Sequence, residues 1–151
     1  DLIWSLDTQQ DTLFATVVRL KEFGDQLFEY TDTRFRTEGI SEALLEVPLS
    51  PEVRKHTLLL FKEAMNNALK YARADQAKLS VRSDQDGLYL SFADDGIGFS
   101  PASNQRGYGM GNMAARAEKI GASFELKSAP GVGTSIQLQL NHHPDSGNTP
   151  K

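Results

Sequence analysis

Two runs of alternating apolar residues, Ala77-Leu79-Val81 and Leu88-Leu90-Phe92, flank the link Asp84-Gln85-Asp86-Gly87, and this pattern restricts the fold more than any other in the chain. Alternation with period two gives each strand one apolar face. The Asp-Gly end of the link is a strong turn signal, so the two runs predict a β-hairpin. A second hairpin is predicted from the strands 123–127 and 134–140, joined by Pro130-Gly131-Val132-Gly133. Hairpin-linked strands imply a mostly antiparallel sheet, and its apolar face must be covered.

Three helical stripes supply the cover. In residues 9–30, Leu13, Phe14, Val17, Leu20, Phe23 and Leu27 recur at spacings near three and four. Ser50-Pro51-Glu52 combines an N-cap hydroxyl, a proline whose missing N–H costs nothing there and an acid facing the helix dipole. A long helix starts at this point, carried by Val53, Leu58, Phe61, Met65, Ala68, Leu69 and Ala72 to about Arg73. Met110, Met113, Ala117 and Ile120 form a third stripe that ends at Gly121, a natural C-cap. Residues 33–36 read as an edge strand and 41–49 as a loop. The expected fold is an α/β (α+β) two-layer sandwich, a mixed and mostly antiparallel sheet covered on one face by about three helices.

Composition narrows the function classes. A chain of 151 residues suits one domain. The 16 basic and 20 acidic residues give a net charge of -4, which offers no general attraction to nucleic acid, so an anionic ligand needs a local site. With no cysteine there are no disulfides, thiolate metal sites or cysteine nucleophile. No run reaches the roughly 18 to 20 apolar residues that span a bilayer, and no membrane contact is expected. The chain opens without an initiator methionine and closes in a polar stretch, 141–151, read as a disordered tail of a piece of something longer.

The candidate chemistry gathers in three places. Glu63, Asn67, Lys70 and Tyr71 lie at offsets of four, seven and eight on the long helix, one face over two turns. An amide oxygen can join the octahedron of Mg²⁺ and a lysine suits phosphate oxygens, although the same stripe is also what a solvated helix face looks like. The alternation that turns Leu88, Leu90 and Phe92 inward also turns Asp94 inward. A carboxylate aimed at a cleft needs donors, and an exocyclic amine such as adenine's is one; the competing reading is a plain Asp94-Asp95-Gly96 turn. Gly96 and Gly98, then Gly107, Gly109 and Gly111, allow backbone amides to approach a ligand, and the second cluster leads into a helix N-terminus suited to an anion. The whole stretch 94–111 reads as a mobile loop. Thr134 shares the inward parity of Ile136, Leu138 and Leu140, and is equally a good strand start.

Four motifs in order carry a resemblance. Glu63-Ala64-Met65-Asn66-Asn67-Ala68-Leu69-Lys70-Tyr71-Ala72 resembles the N box of sensor histidine kinases and Asp94-Asp95-Gly96-Ile97-Gly98-Phe99 their G1 box. Gly107-Tyr108-Gly109-Met110-Gly111-Asn112-Met113 with Arg116-Ala117 is similar to the G2 region, and Gly131-Val132-Gly133-Thr134 to the last glycine motif. Ile3-Trp4-Ser5-Leu6 looks like the connection that follows the dimerisation helices in kinases of the nitrate-sensor type. The resemblance implies the Bergerat ATP-binding fold, with residues 1–8 as connection and 9–140 as the catalytic domain.

It further implies ATP and Mg²⁺ as cofactors, with Asn67 the Mg²⁺ ligand, Glu63 the residue that orients or polarises the attacking group, Lys70 a phosphate contact and Tyr71 a wall of the site. Asp94 becomes the adenine reader, Gly96 and Gly98 shape the base pocket, Gly107 and Gly109 anchor a lid with Met110 beside it, and Thr134 lies near the base or phosphates. Tyr71 stands where the family often has His, and Ala115 where it often has an acid. The implied partners are a dimerisation and phosphoacceptor domain of the same protein and a response-regulator receiver domain, in a cytoplasmic setting and a homodimeric parent. Without a long heptad stripe the segment itself reads as monomeric. Of its three histidines, His56, His142 and His143, all read as surface residues, so the acceptor is expected upstream. The rival readings are another ATPase of this fold, a serine kinase acting on an anti-sigma partner, and a nucleotide-sensing docking module without transfer activity.

Overall fold

The computed structural model describes residues 11–100 and 110–140. The connection at 1–8, Gly107, Gly109, His142, His143 and the tail lie outside them. Helix α1 (Leu13–Phe28) is capped by Thr12, whose hydroxyl accepts the Ala15 N–H. Strand β1 (Arg34–Glu38) follows, and then a 3₁₀ turn (Glu42–Glu46) within the stretch expected to be loop. Helix α2 (Pro51–Asn67) begins as its caps predict, with the Ser50 hydroxyl accepting the Val53 N–H. It then widens into a π turn (Ala68–Ala72) and stops at Arg73, which takes the left-handed conformation with φ 51°. Strands β2 (Gln76–Asp84) and β3 (Gly87–Asp94) form the first hairpin. Helix α3 (Met110–Lys119) and the hairpin of β4 (Ser123–Ala129) and β5 (Gly133–Leu140) complete the elements among the described residues.

The five strands lie in the order β1-β2-β3-β5-β4, parallel only where β1 meets β2 and antiparallel elsewhere. The sheet is therefore mixed and mostly antiparallel. Helix α1 lies between the parallel pair's outer strand and α2: Gly24 of α1 leaves room for the ring of Phe35 on β1, where any Cβ would overlap that ring. Phe35 stacks on Phe28 with centroids 5.7 Å apart and reaches towards Phe92 at 6.5 Å.

Alternation on the strands sends Ala77, Leu79, Val81, Leu90, Phe92, Ile136 and Leu138 into one core with Leu13, Val17, Leu20, Leu60, Phe61 and Met65 from the helices. The α2 stripe differs from its sequence reading at two places. Leu69 is exposed, whereas His56, expected at the surface, is buried at 6% exposure with its Nδ1 3.3 Å from the Arg116 guanidinium of α3. The burial of His56 follows from packing on two sides: α2 meets α1 and α3 as well as the sheet, so its buried arc is wider than one stripe, whereas Leu69 lies in the π turn, past the regular α stripe.

Phe61 has no exposure at the centre of this core. Phe61→Ala is expected to cost about 3–5 kcal/mol, seen as a lower urea midpoint with an unchanged slope.

Candidate functional site

The carboxyl end of β3 meets the end of α2 at a cleft that opens to solvent. Its walls are Ala64, Ala68, Phe92, Met113, Leu126 and Ile136, and its polar groups come from Asn67, Tyr71, Asp94 and Thr134. An apolar cleft with a few convergent polar groups is the usual form of a small-molecule site.

Asp94 is the last residue of β3, so the alternation runs through it and the carboxylate does point inward. It is paired in register with Ala77 on one side and Thr134 on the other. Its Oδ1 accepts the Gly96 N–H at 2.9 Å. Burial raises the Asp94 carboxyl above its ordinary value of 3.8, against the lowering effect of the Gly96 and Thr134 amides and with a further push from Asp95. Asp95 turns the other way: its Oδ1 accepts the N–H groups of Asp75 and Gln76, both at 2.9 Å, which fixes the start of β2.

The glycines after Asp94 are held by specific contacts. Gly96 packs against the Ala72 carbonyl so closely that no Cβ fits, and the Ile97 N–H donates to that same carbonyl at 2.7 Å. The Ile97 carbonyl in turn accepts the Gly131 N–H at 2.6 Å. Gly98 has φ 63° and Gly133 φ 119°, conformations an L side chain rarely adopts, and a Cβ on Gly133 would overlap the Asp94 carbonyl. Residues 95–100, within the stretch expected to be a mobile loop, carry hydrogen bonds to the π turn at Ala72 and to the β4–β5 hairpin.

The four residues predicted to share a helix wall divide. Asn67 and Tyr71 line the cleft, while Glu63 and Lys70 are not among its walls. The π turn explains the division for Lys70, because i→i+5 bonding widens the turn and a residue three positions after Asn67 falls further behind it. Lys70 is exposed and Glu63 half-buried one turn before Asn67. Met110 is the first residue of α3. Sequence reading missed Ser128, whose Oγ lies 2.9 Å from the Phe99 nitrogen, 3.1 Å from the Gly133 carbonyl and 2.8 Å from Thr134 Oγ1. The inward parity of Thr134 on a hairpin was the available signal, since Ser128 is its cross-strand partner.

Residues 52–144 match the family model described as histidine kinase-, DNA gyrase B-, and HSP90-like ATPase. The chain belongs to this family. The ATPase domain is similar to that of the sensor protein VraS: 32% identity over 97 residues for Staphylococcus haemolyticus (strain JCSC1435), covering 62% of this chain and 28% of that protein. For Staphylococcus aureus (strain COL) the identity is 31% over 88 residues, covering 58% and 25%. The chain thus matches only about a quarter of the length of these sensor proteins. Among solved structures, the histidine kinase domain of a blue-light activated histidine kinase from Erythrobacter litoralis has a TM-score of 0.68 at 17% identity, covering 83% of this chain and 60% of that one. The histidine kinase AdeS of Acinetobacter baumannii gives 0.63 at 14% identity, covering 85% and 64%. These two likenesses establish the same fold. No described helix is long and apolar enough to cross a membrane.

The raised Asp94 pKa has a consequence for stability. A carboxyl whose folded value lies above its unfolded value favours folding most below the unfolded value, and that contribution is lost as pH rises through the folded value. An asparagine keeps the Oδ1 that accepts the Gly96 N–H but carries no charge to desolvate. Asp94→Asn should therefore unfold at a higher temperature than wild type at pH 7, with the difference shrinking as pH falls towards 3.8.

Proposed function

We propose that this cleft binds the adenine and ribose-phosphate of ATP, and that the chain is the catalytic domain of a sensor histidine kinase. The observation that carries the proposal is Asp94: a half-buried carboxylate at the rim of an apolar cleft, held by the backbone amides of Gly96 and Thr134 and so directed at a ligand donor. The exocyclic amine of adenine is such a donor. Phe92, Met113, Leu126 and Ile136 supply apolar surface for the ring, Gly98 keeps the backbone close beside it, and Gly96 seats the turn against the Ala72 carbonyl.

At the other side of the cleft, Asn67 and Tyr71 are assigned to the sugar and phosphates, and exposed Lys70, outside the cleft's walls, to phosphate oxygens. The described residues hold no cluster of three or more His, Cys, Asp or Glu that could bind a metal by themselves. That donor set fits a Mg²⁺ held by the Asn67 amide oxygen and by the nucleotide's own phosphates. When bound, the ion would neutralise charge on the transferred phosphoryl. Glu63, one turn before Asn67, is assigned to orient the attacking imidazole. Met110, at the start of α3, Gly107 and Gly109 are assigned to the phosphate side on the sequence resemblance alone.

In the transfer, an imidazole nitrogen forms a bond to the γ-phosphorus, the bond to the β-phosphate oxygen breaks, and ADP departs. The acceptor is assigned to a dimerisation domain of the parent protein, joined through residues 1–8, and the phosphoryl then passes to a response-regulator receiver domain. His56 does not fit as acceptor, because it is buried against Arg116. The similarity to sensor proteins and to histidine kinase structures favours this acceptor over the serine of an anti-sigma partner.

Calorimetric titration with ATP should show binding that strengthens with Mg²⁺. Asp94→Asn should abolish it, and Asn67→Ala should leave binding that no longer depends on Mg²⁺. An absence of ATP binding by the folded protein would remove the proposal. With ATP labelled at the γ-phosphate, the chain alone should retain no label, and a supplied dimerisation domain bearing the acceptor histidine should become labelled; label held on this chain would contradict the assignment.

A further inference from the structure

The hydroxyl of Ser128 has one proton to donate and two lone pairs to accept with. It has three polar neighbours: the Phe99 N–H, which can only donate, the Gly133 carbonyl, which can only accept, and Thr134 Oγ1, which can do either. One arrangement satisfies all three. Ser128 accepts from Phe99, donates to Gly133 and accepts the Thr134 proton. The reverse arrangement spends the Ser128 proton on Thr134 and takes it away from the Gly133 carbonyl.

With its proton committed to Ser128, Thr134 has only lone pairs left for the cleft that it lines. Thr134 is the cross-strand partner of Asp94, so the two side chains stand next to each other on adjacent strands. Asp94 as a carboxylate also offers only acceptors. That end of the cleft therefore presents two acceptors and no side-chain donor, a pattern that suits an amine and leaves a carbonyl oxygen without a partner.

We propose that Ser128 is a positioning residue: by accepting the Thr134 proton it fixes Thr134 as an acceptor, and so makes the cleft prefer a purine with an amine at position 6 over one with a carbonyl there. This rests on the nucleotide reading given above. Ser128 touches no ligand in this scheme and acts through Thr134, while its bond to the Phe99 N–H holds the turn that floors the cleft.

The test compares ATP with inosine triphosphate, which differs in carrying oxygen for the amine, by calorimetry on wild type, Ser128→Ala, Thr134→Val and the double variant. Wild type should favour ATP, and Ser128→Ala should narrow the ratio of the two affinities by about tenfold, the effect of one hydrogen bond. In the Thr134→Val background Ser128→Ala should leave the ratio unchanged, because the residue it works through has gone. Ser128→Thr, which keeps a hydroxyl at a strand position, should keep the wild-type ratio. If Ser128→Ala fails to fold, Ser128→Cys, with a much weaker hydrogen-bonding group, carries the same expectation. A merely structural Ser128 would weaken both nucleotides equally and keep the ratio, and that result overturns the inference while leaving the nucleotide reading intact. An equal narrowing in both backgrounds also overturns it. Failure of wild type to bind either nucleotide would bring down the nucleotide reading and this inference together.

Discussion

The backbone from Asp94 to Ile97 is the constraint on which the remaining structure depends, because it must end a strand, start another and close the bottom of a cleft within four residues. Asp94 completes β3 between Ala77 and Thr134. Asp95 closes the first amides of β2, and Ile97 bonds the last carbonyl of the π turn while receiving the Gly131 amide of the distant hairpin. Three parts of the chain that are far apart in sequence are joined here by backbone groups with little freedom to move. The absence of a side chain at Gly96 is a requirement of that joint, since the Ala72 carbonyl occupies the space a Cβ would need.

The joint explains how a cleft persists beside a packed core. Leu79, Leu90 and Leu138 close the middle of the sheet against the helices. At the end of β3 and the start of β5 the same inward parity reaches Asp94 and Thr134, which line the cleft. The apolar pattern thus gives way to polar residues on the inward face at the cleft. The cost of desolvating Asp94 is borne by the folded state, in keeping with a group retained for binding and not for stability.

Much of this was legible along the chain because it is local. Ser50-Pro51-Glu52 marked the start of α2, Asp86-Gly87 the hairpin, and the parity of Phe92 extended to Asp94 without any tertiary information. The inward direction of Asp94 was legible for a simple reason: a strand side chain has only two directions, so one known neighbour fixes it. The helix wall of Glu63, Asn67, Lys70 and Tyr71 was less secure, since its geometry assumed regular α turns and the helix becomes π after Asn67. His56 was misread because a single stripe cannot reveal that a helix is packed by a second helix as well as by the sheet.

By itself the sequence determined the order of elements, the pairing of the two hairpins and the inward carboxylate, all consequences of periodicity and turn chemistry over a few residues. Only the tertiary structure decided which polar groups share the cleft, that β1 runs parallel to β2, that Arg116 meets His56 across 60 positions and that Ser128 links the turn at Phe99 to Thr134. The reason is physical: period and propensity specify which way a side chain leaves its own backbone. What it meets there depends on how separate elements close on one another, and that is set by packing of the whole core.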